Sequence, residues 1–73
     1  MIETKLTVEG MACSMCEAHV NDAIRKNFPV KRVKSNRRKK TCMIKSLEPL
    51  DEEAVKKVIT DLGYEVTSFS VLI

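Results

Sequence analysis

The sequence predicts an α+β domain: a two-layer sandwich with both helices on one face of a four-stranded antiparallel sheet. Three observations carry this. Strand-like segments alternate with segments whose apolar residues recur at helical spacing. The order along the chain is strand, helix, strand, strand, helix, strand. Each strand offers one apolar face and each helix one apolar stripe, so one sheet layer and one helix layer bury them all. Right-handed crossovers turn that order into the split βαβ, ferredoxin-like arrangement. No linker or internal repeat interrupts it, so residues 1–73 are expected to form a single domain.

Each element has its own signal. In residues 2–8, IETKLTV, Ile2, Thr4, Leu6 and Val8 share one face and Glu3, Lys5 and Thr7 the other, the period of a half-buried strand. Gly10 ends it. From Cys16 onward Val20, Ala23, Ile24 and Phe28 fall on one helical stripe, and Pro29 stops the helix because it cannot continue the hydrogen-bond ladder. VKRVKSN and TCMIKS then read as two strands joined by the basic run RRKK. The first has only Val30 and Val33 to bury, and in the second Cys42 and Ile44 share a face. Pro49 is expected to open the second helix, with Asp51 as N-cap and Glu52 and Glu53 suiting its positive end. Its stripe reads Ala54, Val55, Val58, Ile59 and Leu62, and Gly63 is a left-handed stop. In the last strand, EVTSFSVLI, Val66 and Phe69 fall on opposite parity, which predicts a bulge.

Composition bounds the function. Seventy-three residues, 44% apolar and 32% charged, suit one small globular core rather than a disordered chain. The N-terminus carries charges where a signal peptide would need an apolar run, and no apolar stretch reaches the ~18 residues of a membrane span. The expectation is a soluble cytoplasmic protein, and a chain running from Met1 to just past the last strand suits a free-standing one. Three cysteines, two of them in one loop, do not make a disulfide framework.

That loop, GMACSMCEAHV, carries the chemistry. Cys13 falls in the loop after the first strand and Cys16 in the first turn of the first helix, where unpaired backbone N–H groups favour a thiolate. The thiolate is the form that binds metals, and two soft thiolates at this spacing can converge on one soft ion such as Cu(I). A structural zinc site closes with four ligands, and the chain has no second Cys or Cys/His pair. The incomplete set therefore points to an open, transferable position.

Gly10-Met11-x-Cys13-x-x-Cys16 on this frame, closed by Gly63-Tyr64, resembles the heavy-metal-associated domain family over essentially the whole chain. The family comprises small cytosolic copper chaperones and the N-terminal domains of metal-transporting P-type ATPases. The resemblance implies a non-enzymatic metal carrier. Cys13 and Cys16 would hold Cu(I) in near-linear fashion and pass it on by thiolate exchange. Met11 would pack beneath the loop, and Tyr64 would shield the ion. It implies a P-type ATPase or its metal-binding domain as partner, and a monomer without metal, with a metal-bridged pair of chains left open. The chain departs from the family in a second strand rich in charge rather than valine, and in His19, where a small residue is commoner.

His19 lies three residues past Cys16, so its imidazole is a candidate third ligand that would favour Zn(II); the alternative is an exposed histidine tuning the thiolates. Met15 reads as an exposed loop residue and Cys42 as a small core residue. Residues 31–40 hold seven of the thirteen Lys and Arg, leaving six cations against ten acids elsewhere, net −4. Arg37, Arg38, Lys39 and Lys40 are either a solvated guard on an edge strand or a dock for an acidic partner. A carrier or detoxification protein for Hg(II), Cd(II) or Zn(II) is the second reading. A thiol–disulfide oxidoreductase is disfavoured by element order and by the lack of an aromatic or proline beside the pair. Nucleic-acid binding is disfavoured because three aromatics, none in an RNP pattern, make no stacking platform.

Overall fold

A computed structural model describes residues 1–72. Its elements are β1 (Ile2–Glu9), α1 (Ser14–Asn27), β2 (Val30–Asn36), β3 (Thr41–Ser46), α2 (Glu52–Asp61) and β4 (Glu65–Val71). The four strands form one sheet in the order β2-β3-β1-β4, every neighbour antiparallel. This is the expected βαββαβ sandwich.

Thr4, Leu6 and Val8 of β1 and Cys42 and Ile44 of β3 are buried against the helices. Val20 and Ile24 of α1 and Val55 and Ile59 of α2 close the core from the other side. Central strands bury one full face, so β1 and β3 carry most of this set. The edge strand β2 forms although it is mostly charged, because its inward positions are Val33 and a buried Ser35. The Ser35 hydroxyl lies 2.7 Å from Asn21 Oδ1 on α1, a pairing that lets a polar residue sit at an inward position.

Both irregularities of the sheet serve parity. The β1–β4 register passes from Thr7 opposite Ser68 to Val8 opposite Val66, leaving Thr67 as an extra residue. That bulge lets Val66 and Phe69 both pack on the core, as their spacing requires. A second shift between Val30 and Arg32 leaves Lys31 unpaired and aligns Val33 with buried Ile44.

Helix ends follow local chemistry with two differences from expectation. Pro49 lies outside α2: the N-cap is Asp51, whose carboxylate accepts the Glu53 N–H at 3.1 Å. Leu62 does not extend the stripe and is 40% exposed. Leu62 is the C-cap, still in right-handed helical backbone (φ −79°, ψ −10°), and with Val58 and Ala23 it lines an open groove between the helices rather than the core.

Candidate metal centre

Three connections meet at one end of the sheet. Glu9, the last residue of β1, pairs with Glu65 at the start of β4, and the Val8 N–H donates to the Lys40 carbonyl at 2.7 Å. The cysteine loop, the α2–β4 turn and the β2–β3 turn are therefore neighbours.

Cys13 caps α1 in an extended conformation, its carbonyl accepting the N–H groups of Cys16 (3.1 Å) and Glu17 (3.3 Å). Its side chain makes no cap hydrogen bond and is exposed, whereas Cys16 is half-buried. The two sulfurs face each other 3.2 Å apart as unbridged thiols. The Cys16 thiol is lowered from 9.0 to about 6, first by hydrogen bonding from the Tyr64 hydroxyl, then by the backbone of Ala12 and by Cys13. The donors are thus mainly a tyrosine and loop groups, not the helix-start amides alone. In turn, the Tyr64 phenol is pushed up by the same sulfur.

Tyr64 is delivered by a helix C-cap. Gly63 adopts φ +97°, its N–H donates to the Thr60 carbonyl (2.9 Å), and the Tyr64 N–H donates to the Ile59 carbonyl (3.2 Å). This pair of bonds is the Schellman closure, which needs a residue at ease in the left-handed region. Gly10, at φ +103°, leaves room for the tyrosine: a Cβ there would lie 3.1 Å from Tyr64 Cδ1. Met11 is 7% exposed and belongs to the core beneath the loop.

His19 is exposed on α1, and among the described residues no three His, Cys, Asp or Glu side chains converge as a metal-binding group. The nearby carboxylates are engaged elsewhere. Glu17 accepts the Arg37 N–H at 2.6 Å and lies 3.4 Å from its guanidinium, and Glu9 pairs with Lys40 at 3.2 Å. The basic run is therefore divided. Arg37 and Lys40 strap the β2–β3 turn to the cysteine loop's neighbours, while Arg38 and Lys39 are exposed, their N–H groups held by Asn36 Oδ1. Cys42 is buried beside Ser35, and burial pushes its thiol up. No sequence pattern signalled the Glu17–Arg37 strap, which joins residues twenty apart.

A family model described as a heavy-metal-associated domain matches residues 5–65. A probable copper-exporting P-type ATPase of Archaeoglobus fulgidus is 36% identical over 66 residues, covering 89% of this chain but only 8% of the relative. The chain therefore spans a small fraction of that protein's length. Among solved structures, a CopZ metallochaperone superposes with TM-score 0.81 at 26% identity, covering 89% of this chain and 98% of its own. The N-terminal domain of ZntA in its Zn(II) form superposes with TM-score 0.80 at 20% identity, covering 89% and 88%, a likeness of fold.

Proposed function

This chain belongs to the heavy-metal-associated domain family, and on that premise we propose that it carries one Cu(I) ion between Cys13 and Cys16 and hands it to a partner by thiolate exchange. The observation that carries the reading is the facing pair of sulfurs at an open end of the molecule, one exposed and the other lowered to about 6. A thiol with that value is mostly thiolate at neutral pH, so an arriving soft cation meets a ready ligand. Metal–thiolate bonds of about 2.3 Å place linearly opposed sulfurs roughly 4.6 Å apart. The exposed Cys13 side chain has the freedom to make that opening from 3.2 Å.

Transfer follows from the asymmetry of the pair. An acceptor thiolate approaches the ion from the open side and adds to it. The Cys13–metal bond then breaks, and a second acceptor thiolate displaces Cys16. The ion keeps its oxidation state and each bond lost is replaced by one of the same kind. Met11 holds the loop from below, and Tyr64 shields the ion while donating to Cys16.

A two-thiolate set suits Cu(I) or Hg(II), whereas Zn(II) and Cd(II) would need further ligands. The partner on this reading is a P-type ATPase or its metal-binding domain, met in the cytoplasm, with Arg38 and Lys39 as the cations available to an acidic acceptor. X-ray absorption of the Cu(I)-loaded chain tests the ligand set. Two sulfur neighbours unchanged in His19→Ala support it, and a nitrogen neighbour lost in that variant contradicts it.

A further inference from the structure

The helix-free face of the sheet has a charge pattern that metal carriage does not use. Inward positions are fixed by burial, so Glu3 and Lys5 of β1, Arg32 and Lys34 of β2, and Met43 and Lys45 of β3 project from the opposite face. The register sets them in rows. Arg32, Lys45 and Glu3 lie side by side, with Leu72 beyond, its N–H donating to the Glu3 carbonyl at 2.7 Å. Lys34, Met43, Lys5 and Ser70 form the adjacent row. Four cations against one carboxylate give this face a net charge of +3, equal to that of the whole chain, so everything else sums to zero.

These cations are not explained by the fold. None of the four is in an ion pair among the described residues, although Glu3 is next to Lys45. Arg32 stands directly opposite Lys45, an arrangement of like charges that opposes sheet formation. Protection of an exposed edge accounts for cations on β2 but not for Lys5 and Lys45, which lie on the central strands.

Exposed apolar side chains border the end of this face that lies away from the cysteine loop. Leu72 is 51% exposed, and Met1 and Leu47, one residue past the last β1–β3 pair, are 65% and 64% exposed. Cations bordering exposed apolar side chains are the combination that binds an anionic lipid interface, the charges meeting headgroups and the apolar groups the acyl boundary. We propose that this face docks on an anionic lipid bilayer. Lys5, Arg32, Lys34 and Lys45 meet acidic headgroups, while Met1, Leu47 and Leu72 enter the acyl boundary. The shallow groove of about 300 Å³ between Glu3, Arg32, Lys34, Met43 and Lys45 gives a headgroup phosphate a cationic seat. Single-stranded nucleic acid fits less well: Phe28, Tyr64 and Phe69 all pack against the core, which leaves no aromatic on this face to stack a base. In the bound pose the cysteine loop, at the opposite end of β1, faces the aqueous phase.

The proposal is independent of metal and is tested on the metal-free chain by sedimentation with phosphatidylcholine vesicles, with and without phosphatidylglycerol. Binding is expected only with the anionic lipid. It should fall steeply toward about 1 M salt, where the screening length shrinks to about 3 Å. Arg32→Gln, Lys34→Gln and Lys45→Gln together should weaken it on the order of a hundredfold, at about fivefold per cation. Arg38→Gln with Lys39→Gln should leave it unchanged. The chain has no tryptophan, so Leu72→Trp and Met15→Trp report orientation. Emission should shift to the blue on anionic vesicles in the first and stay put in the second. The proposal is overturned by equal binding to neutral vesicles, by loss in the Arg38/Lys39 variant alone, or by an unshifted Leu72→Trp emission. Displacement from vesicles by a tighter-binding single-stranded RNA would equally overturn it and assign the face to nucleic acid.

Discussion

Gly10 and Tyr64 are in close contact: a Cβ at position 10 would lie 3.1 Å from Tyr64 Cδ1, near enough that the ring would have to give by a few tenths of an ångström. Gly10→Ala must therefore move the tyrosine as well as force a residue to φ +103°. Denaturant unfolding should show a loss of about 1–2 kcal/mol from the backbone conformation alone. The Cys16 thiol should become harder to ionise, because its largest stabilising donor has shifted.

Tyr64→Phe separates the hydroxyl from the ring. Its removal takes away the first cause of the lowered Cys16 value of about 6, so the alkylation midpoint should rise toward 9.0. The sign matters for metal uptake. At neutral pH and above the wild-type thiol carries little proton for a metal to displace, whereas the variant must still shed one there. Uptake should become pH-dependent between pH 6 and 9. Iodoacetamide labelling followed by mass spectrometry reads the midpoint at Cys16, and an unchanged midpoint would show that the loop groups suffice.

The hydroxyl of Thr4 is buried without a hydrogen-bond partner among the described residues. Valine has nearly the same shape and no polar atom to strand. Thr4→Val should raise unfolding stability by about 1 kcal/mol. A loss of stability would mean that the hydroxyl has a partner after all.

Glu17 binds the β2–β3 turn through the Arg37 N–H at 2.6 Å. Glu17→Gln removes the charge from that bond, and Glu17→Ala removes the acceptor. Hydrogen exchange at Arg37 should quicken modestly in the first and strongly in the second, with about 1–3 kcal/mol of local protection at stake. Equal exchange in all three proteins would assign the protection to the turn itself.

Periodicity made the sheet and helices legible, because Leu6, Val8, Ile24, Ile44 and Ile59 repeat at the spacings that burial demands. The opposite parity of Val66 and Phe69 likewise revealed the β4 bulge. The cysteine loop was legible from its spacing and its glycine. Features formed between distant segments were not. Nothing local in the sequence joins Glu17 to Arg37, pairs Ser35 with Asn21, or sets Arg32 beside Lys45. The cation-rich segment 31–40 illustrates the difference: in three dimensions Arg37 and Lys40 form a strap, Arg38 and Lys39 stand exposed on the turn, and Arg32 and Lys34 belong to a sheet face. Leu62 fits the helical stripe by count, but at the last turn the stripe runs out over an open groove between the helices, which no local pattern announces.

On the proposed reading Cys13 and Cys16 together hold one ion. Anaerobic Cu(I) titration against a competing chelator tests it most directly, with the wild type beside Cys13→Ala, Cys16→Ala and Cys42→Ala. One tightly held Cu(I) per chain is expected in the wild type and in Cys42→Ala, and neither loop variant should retain it. Tight binding that survives in Cys13→Ala or Cys16→Ala, or that disappears in Cys42→Ala, would contradict the account.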